Sequence, residues 1–196
     1  MKRFLLGFAL LLASISSISA QYEDRGWKLN PEVGIWFGPA APFPGSELSD
    51  ILGPYIGGGA YGRIQLPWKN LYSELGISIN GYRSSAIEKL DTVPIYLSIN
   101  YKIPLKVRLN LFLKVGGGAV YATNYPEQHS NWLPLGFIGT EVSFPMGKTT
   151  TLGLKMDYNL IYEEHLSAPP DSPDFKIING HMINVGIVIT FKLING

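Results

Sequence analysis

The sequence predicts an all-β protein in which eight antiparallel strands close up-and-down into a barrel. Three observations lead to this fold class: apolar residues alternate with polar ones over eight short segments, turn residues separate the segments, and short connections alternate with long ones. Residues 71–82 show the pattern most clearly, since Leu75, Ile77 and Ile79 alternate with residues such as Glu74. A period of two places the two sets on opposite faces of a strand.

The first four predicted strands keep branched apolar residues on one parity and charges on the other. In the first, Val33 and Ile35 oppose Glu32, and in the fourth, Ile99 opposes Lys102. Each has about the length of a tilted strand that crosses a membrane. Their predicted bounds are residues 29–38, 55–66, 71–82 and 92–103.

The last four predicted strands follow the same rule with one weak member. Leu109 opposes Arg108 in the fifth strand. Alternation is weakest in the sixth, where the parity is mixed although Ile138 and Val142 oppose Glu141. The predicted bounds are residues 107–115, 135–144, 151–160 and 183–193.

The connections between these strands alternate in length. The short ones each open with a proline, which cannot donate a hydrogen bond to a strand ladder, and they are residues 67–70, 104–106 and 145–148. The long ones are residues 39–53, 83–91, 122–133 and 163–180. Short turns at one end and long loops at the other are typical of an outer-membrane barrel with both termini in the periplasm.

The first twenty residues have the composition of a secretory signal peptide. Lys2 and Arg3 precede an apolar run over residues 4–12, and small residues lead to Ala20. We expect cleavage after Ala20, which leaves residues 21–196 as one domain of about 175 residues. The chain has no cysteine, which excludes a lipoprotein anchor and a disulfide framework.

The charge balance gives no electrostatic basis for binding nucleic acid. Removing residues 1–20 changes the formal net charge from +1 to −1, because this segment carries two basic residues and no acidic one. A near-neutral chain lacks the basic surface that phosphate backbones require.

Alternation alone leaves two interpretations open: a transmembrane barrel with its apolar face toward lipid, and a soluble barrel or sandwich with that face inside. The apolar parity carries no charge within a strand core, whereas the other parity mixes tyrosine, glycine, asparagine and charges of both signs. A Lys or Arg facing the middle of a bilayer costs about 2–4 kcal/mol, so a membrane enforces this separation strictly. We therefore expect a barrel in the bacterial outer membrane, with its charges paired across a narrow lumen. The predicted lumen network is Arg63, Glu74, Lys102, Arg108, Lys114, Glu141, Lys155 and Asp157.

Aromatic residues are expected to form a belt at each membrane interface. With both termini in the periplasm, the first strand runs from the periplasmic end of the barrel to its outer end. The members near the periplasmic rim are then Trp68, Tyr101, Phe144 and Phe191, and those near the outer rim are Phe37, Tyr121, Trp132 and Tyr162.

Three segments carry a family resemblance: residues 92–103 (TVPIYLSINYKI), residues 114–122 (KVGGGAVYA) and the closing strand over residues 184–193. Together they resemble the small outer-membrane β-barrel superfamily, which includes OmpA-type and OmpW-type barrels. The resemblance covers essentially the whole mature chain, as a pattern of alternation and turns rather than a specific motif. It implies outer-membrane lipid and the barrel-assembly machinery as partners. Members commonly end on an aromatic residue, whereas this chain continues past Phe191 with Lys-Leu-Ile-Asn-Gly, so the assembly signal is expected internally at Phe191.

Two motifs associated with chemistry are rejected on geometry. Residues 57–62 have the spacing of a dinucleotide-binding GxGxxG, but that fingerprint needs a strand-to-helix turn, and these glycines are expected inside a strand. PagL-type lipid A deacylases carry His-x-Ser-Asn on one face of a strand, whereas His129, Ser130 and Asn131 lack the spacer. Adjacent strand residues point to opposite faces, and we expect this trio in a loop, so the match fails.

No metal or cofactor site is predicted. No pair among His129, His165 and His181 has the spacing of a metal site. Glu163 and Glu164, next to His165, carry the carboxylate oxygens that hard cations prefer. A short acidic segment in a loop is, however, usually only hydrated by solvent.

Two non-enzymatic functions remain open, and we expect no enzyme. One is a structural or surface-interaction barrel that contacts its environment through the long loops. The other is a channel for small or hydrophobic solutes, as the resemblance to OmpW-type barrels implies. Eight strands enclose a lumen only wide enough for side chains, and bulky residues such as Tyr61, Tyr96 and Phe112 are expected to fill it. The first function is therefore favoured.

Overall fold

The computed structural model describes residues 30–84, 88–125, 129–162 and 179–193, and eight strands run through them. The predicted signal peptide at residues 1–20 lies outside the described residues. The strands are β1 (Glu32–Pro42), β2 (Tyr55–Gln65), β3 (Leu71–Arg83), β4 (Lys89–Ile103), β5 (Asn110–Tyr125), β6 (His129–Pro145), β7 (Thr150–Ile161) and β8 (Gly180–Lys192).

The eight strands form one closed antiparallel sheet. Each strand pairs with the next along the chain, and β8 returns to pair with β1, where Ile35 lies opposite Ile189. Closure leaves no unpaired sheet edge. The predicted fold class is confirmed. Within the described ranges, no helix is long and apolar enough to cross a membrane.

Closing the sheet displaces the strands along one another. Phe37 lies opposite Gly58 on β2, and following the directly opposite residues from strand to strand leads to Tyr121 on β5. Around the other side of the barrel, Phe37 lies opposite Ile187 on β8, and the same procedure leads to Leu111 on β5. This stagger of about ten residues tilts the strands by roughly 35–45° from the barrel axis, so a ladder climbs as it goes around the wall.

The two ends of the barrel differ, and so do the two faces of its wall. We call the end with the three short connections the turn end and the opposite end the loop end. Along most of the wall the outward side chains are apolar and exposed, as at Ile79 (67%) and Leu97 (58%), whereas Glu74 on the lumen face is fully buried. The apolar parity therefore faces outward, as predicted.

The lumen has a polar half and an apolar half. Charged side chains occupy the part near the turn end, and aliphatic and aromatic side chains fill the part near the loop end. A short 3₁₀ helix (Glu47–Asp50) lies in the connection after β1, and its Leu48 is buried in the apolar cluster together with Leu52. The other members of this cluster are Ala40, Tyr82, Leu90, Tyr96, Val120, Ala122, Leu133, Leu135, Phe137, Ile161 and Met182.

The strand bounds differ most from prediction at the loop end. The long loop predicted over residues 122–133 is mostly strand, because β5 and β6 continue with Ala122 opposite Asn131. Val120 and Leu133 face the lumen there, whereas the outward Thr123 and Ser130 are polar. Near the loop end the inward face is therefore apolar and the outward face polar, the reverse of the rest of the wall. A prediction that assumes one apolar face along the whole strand ends the strand too early.

Smaller corrections affect β1 and β5. Strand β1 runs to Pro42 rather than ending at residue 38, which leaves Phe37 midway along the strand. Strand β5 begins at Asn110, not at residue 107, because Leu109 N–H donates to Val107 O within a tight bend (2.8 Å).

Candidate functional site

The candidate site is a cluster of four charged side chains that crosses the lumen in its polar half. Arg63 comes from β2, Glu74 from β3, Lys114 from β5 and Glu141 from β6. All four side chains lie on the inward parity, and each is at most 3% exposed. Strand alternation therefore explains why the four point inward, and the stagger of the ladders brings them to one level.

Arg63 joins the two carboxylates of the cluster. Its Nε and Nη2 donate to Glu74 Oε2 at 3.0 and 2.7 Å. Nη2 also donates to Glu141 Oε2 at 2.6 Å, and Nη1 donates to Glu141 Oε1 at 3.3 Å. Glu32 at the turn end adds a longer contact, 3.5 Å from Nη1. The planar guanidinium suits this role because its five donors are fixed in a fork.

Lys114 closes the cluster from the opposite side. Its Nζ lies 2.7 Å from Glu141 Oε2 and 3.2 Å from Glu74 Oε2. Two cations and two carboxylates thus alternate, and the four charges sum to zero. Removing such charges from water is costly, and mutual pairing with hydrogen bonds offsets that cost.

Neutral side chains complete the surroundings of the cluster. Asn100 Nδ2 donates to Glu74 Oε2 at 2.8 Å, and Tyr96 OH donates to Glu74 Oε1 at 3.3 Å. The Arg63 guanidinium lies over the ring of Phe112, 4.3 Å from the centroid, and Lys114 Nζ lies 5.1 Å from the centroid of Tyr61. These rings fill the lumen around the charges and add cation–π attraction.

A second ion pair lies closer to the loop end. Lys155 Nζ is 2.5 Å from Asp157 Oδ2, and the same ammonium lies over the ring of Trp36 at 4.3 Å. Both charged residues are on β7, two positions apart, so they share a face. Among the described residues, neither member forms a direct ion pair with Arg63 or Glu141.

The remaining two members of the predicted network, Lys102 and Arg108, lie apart from both the cluster and the second ion pair. Lys102 is on β4 near the turn end, with Nζ 6.0 Å from the Phe112 ring, and it makes no ion pair with a described residue. Arg108 was predicted wrongly as a lumen residue, because it lies exposed in the turn between β4 and β5. The bend that delays the start of β5 removes it from the inward face.

The predicted network omits residues that complete the site. Glu32 lies directly opposite Arg63 in the β1–β2 ladder, and Asn100 lies opposite Lys114 in the β4–β5 ladder. Both positions are polar members of the inward parity, but their partners follow from the strand register, which the sequence does not give.

All eight residues predicted for the aromatic belts lie on the outer surface. Trp68, Tyr101, Phe144 and Phe191 are near the turn end, and Tyr121, Trp132 and Tyr162 are near the loop end. Tyr121 and Trp132 pack against each other with ring centroids 5.3 Å apart. Phe37 is outward but midway along β1, so its placement at the outer rim was wrong.

The motifs set aside on geometry occupy strands. Residues 57–62 lie within β2, as expected. His129, Ser130 and Asn131 begin β6 instead of lying in a loop, and Ser130 Oγ hydrogen bonds Thr123 Oγ1 at 2.9 Å. The prediction of a loop is wrong here because the outward residues at this end of β5 and β6 are polar, so the alternation of the rest of the strand does not continue.

In the part of the chain that the structure describes, no three His, Cys, Asp or Glu side chains lie together in a way that could hold a metal ion. Glu163, Glu164 and His165 lie outside the described residues.

Comparison with known proteins identifies the fold. No family model and no curated protein matches the sequence. A major outer membrane protein from Thermus thermophilus superimposes with a TM-score of 0.62 at 13% identity, covering 85% of this chain and 100% of that one. Neisserial surface protein A superimposes with a TM-score of 0.54 at 13% identity, covering 84% of this chain and 97% of that one. The fold is thus that of the small eight-stranded outer-membrane barrels, as the sequence resemblance implied.

Proposed function

We propose that this protein is a side-chain-plugged barrel of the bacterial outer membrane, exported through a cleaved signal peptide, with a structural or surface-interaction role at its loop end. The observation that carries the proposal is the filled lumen. The cluster of Arg63, Glu74, Lys114 and Glu141 spans its polar half, and the apolar cluster with Leu48 and Leu52 fills its other half.

The outer surface supports the membrane part of the proposal. Large apolar side chains cover the wall between the two ends, and Trp68 and Trp132 are 66% and 53% exposed near opposite ends. Such exposure is unfavourable in water and favourable in a bilayer with aromatic interfaces. The proposed partners are therefore outer-membrane lipid, which the apolar wall would contact, and the barrel-assembly machinery that inserts such barrels.

The filled lumen supports a role outside the pore. A barrel plugged over both halves has no open path for water or ions, so contacts with the surroundings fall to the loop end. The proposal assigns the chain no reaction and no cofactor.

Cysteine labelling tests both topology and exposure, because the chain has no cysteine of its own. Asp50→Cys at the loop end and Lys148→Cys at the turn end both replace exposed charged residues. A membrane-impermeant maleimide applied to intact cells should label only Asp50→Cys, and disruption of the cells should add Lys148→Cys. Equal labelling of both in a soluble fraction would overturn the membrane proposal.

Conductance separates the plugged barrel from the channel. Purified protein that shifts in gel mobility on boiling is added to a planar bilayer, with a porin as positive control. We expect no current steps above background. Reproducible steps would favour the small-solute channel instead.

A further inference from the structure

A groove crosses the outer wall of the barrel beneath the segment that leaves β1. Its volume is about 850 Å³, within the roughly 300–1,000 Å³ of small-molecule sites. Its floor is mainly apolar and outward-facing, formed chiefly by Leu113, Ile138, Met156 and Ile183 on four consecutive strands. Because the strands are tilted, this floor descends from Ile183 near the loop end toward Leu113 near the turn end.

An ordered turn over residues 43–46 builds the upper side of the groove. Phe43 N–H donates to His181 O at 2.7 Å, and the Phe43 ring packs edge-on against Tyr158 with centroids 5.6 Å apart. Gly45 has φ of +83°, a left-handed conformation that favours glycine. Ser46 N–H then donates to Phe43 O at 3.0 Å, which closes the turn. The turn is fixed by these contacts over the outer wall.

Polar groups occur at the upper end of the groove. Tyr158 OH and His181 Nδ1 are 2.5 Å apart. The Ser46 hydroxyl is shielded from solvent and has no hydrogen-bond partner among the described residues. The lower floor around Leu113 and Ile138 is mainly apolar, and Thr140, opposite Leu113 in the β5–β6 ladder, adds one hydroxyl there. A groove with polar groups at its upper end and a mainly apolar floor fits an amphiphilic membrane lipid, whose headgroup is polar and whose acyl chain is apolar.

We propose that this groove binds one acyl chain of an ester-linked membrane lipid, with the lipid's ester and headgroup facing Ser46, Tyr158 and His181. Acyl chains surround this wall once the barrel is inserted, so the inference rests on the proposed membrane location. The ester oxygens accept hydrogen bonds, and the Ser46 hydroxyl is a donor without a protein partner among the described residues.

Retention of lipid measures the binding. The full-length protein is inserted into dioleoyl phosphatidylcholine vesicles and extracted in detergent, and the phosphatidylcholine that stays bound is counted by native mass spectrometry. We expect one retained lipid per barrel. Ile138→Trp should fill the floor of the groove and lower retention by about five-fold or more. Leu97→Trp is the matched control, because Leu97 on β4 is 58% exposed and Ile138 is 57% exposed.

A second variant tests the polar end. Ser46→Ala removes a hydroxyl that bonds no described residue, so it should lower retention by about five-fold without lowering the unfolding midpoint. Absence of retained lipid, or equal retention by Ile138→Trp and Leu97→Trp, would overturn the inference. Protein that shifts on boiling yet retains no lipid refutes the groove alone, whereas protein that never inserts refutes the proposed function.

Discussion

Arg63 on β2 and Glu141 on β6 lie 78 residues apart in the chain, and their side chains meet across the lumen with Nη2 2.6 Å from Oε2. Strands β2 and β6 stand on opposite sides of the eight-stranded ring and share no ladder. The same guanidinium bonds Glu74 on β3 at 2.7 Å. One side chain therefore ties a neighbouring strand and the opposite wall of the barrel together, and the lumen is closed at that level.

Loss of Glu74 should destabilise the barrel without preventing its insertion. Glu74→Ala leaves Arg63 and Lys114 buried with one carboxylate between them, which should cost about 3–5 kcal/mol. Urea unfolding in vesicles, followed by the heat-dependent gel shift, measures the free energy of unfolding. Lys148→Ala in an exposed turn is the control and should change it by less than about 0.5 kcal/mol. Equal effects of the two variants would contradict a paired cluster.

The contact between Arg63 and Glu141 should appear as coupling in a double-mutant cycle. Arg63→Met and Glu141→Leu each leave the buried cluster with one uncompensated charge, whereas the double variant is neutral again, so its cost should fall short of the sum by about 0.5–3 kcal/mol. The same unfolding measurement supplies all four free energies.

The rim pair Arg83 and Asp91 provides the control cycle. Their side chains also meet, 2.5 Å apart, but are 29% and 38% exposed. Solvent screening should limit that coupling to about 0–1 kcal/mol. A larger coupling at the rim than in the lumen would show that burial does not set the strength of these pairs.

Gly76 makes room for a tyrosine of the neighbouring strand. It lies opposite Tyr96 in the β3–β4 ladder, and a Cβ at Gly76 would collide with the ring. The ring is itself held by Phe137, with centroids 4.8 Å apart, and by its bond to Glu74. Gly76→Val should therefore destabilise the barrel by about 1–3 kcal/mol in urea unfolding.

Gly62 on the outward face of β2 is the matched control, because a Cβ there meets nothing within 4 Å. Gly62→Val should leave the unfolding midpoint unchanged or raise it. If both valines have the same effect, strand propensity explains the cost and the tyrosine packing does not.

Most of the architecture could be predicted from the sequence because a period of two maps directly onto the two faces of a strand. Alternation alone placed Arg63 and Glu141 inward and Ile79 outward. It could not assign partners: Lys155 has the same parity as the cluster and lies opposite Glu141 in the β6–β7 ladder, yet its ammonium pairs with Asp157 on its own strand.

The strand ends and the outer groove needed information that the sequence does not carry. Near the loop end the inward Val120 and the outward Thr123 reverse the usual polarity, so a rule based on one apolar face ended β5 too early. The groove joins Ser46 to His181, which are far apart in sequence. Only the backbone path of residues 43–46 brings them together.

Tryptophan quenching by lipid should separate the outer wall from the lumen. Trp132 is 53% exposed on the outer surface, whereas Trp36 is 4% exposed beneath Lys155 in the lumen. In variants that keep one of these two and carry phenylalanine at the other three tryptophan positions, chain-brominated phosphatidylcholine should quench Trp132 strongly and Trp36 weakly, because bromine acts at contact range. Water-soluble acrylamide should reach Trp36 poorly as well, since the ion pairs and the apolar cluster close the lumen on either side of it. Strong quenching of Trp36 by brominated lipid would mean that the two faces of β1 are interchanged, and strong quenching by acrylamide alone would mean that water fills the lumen.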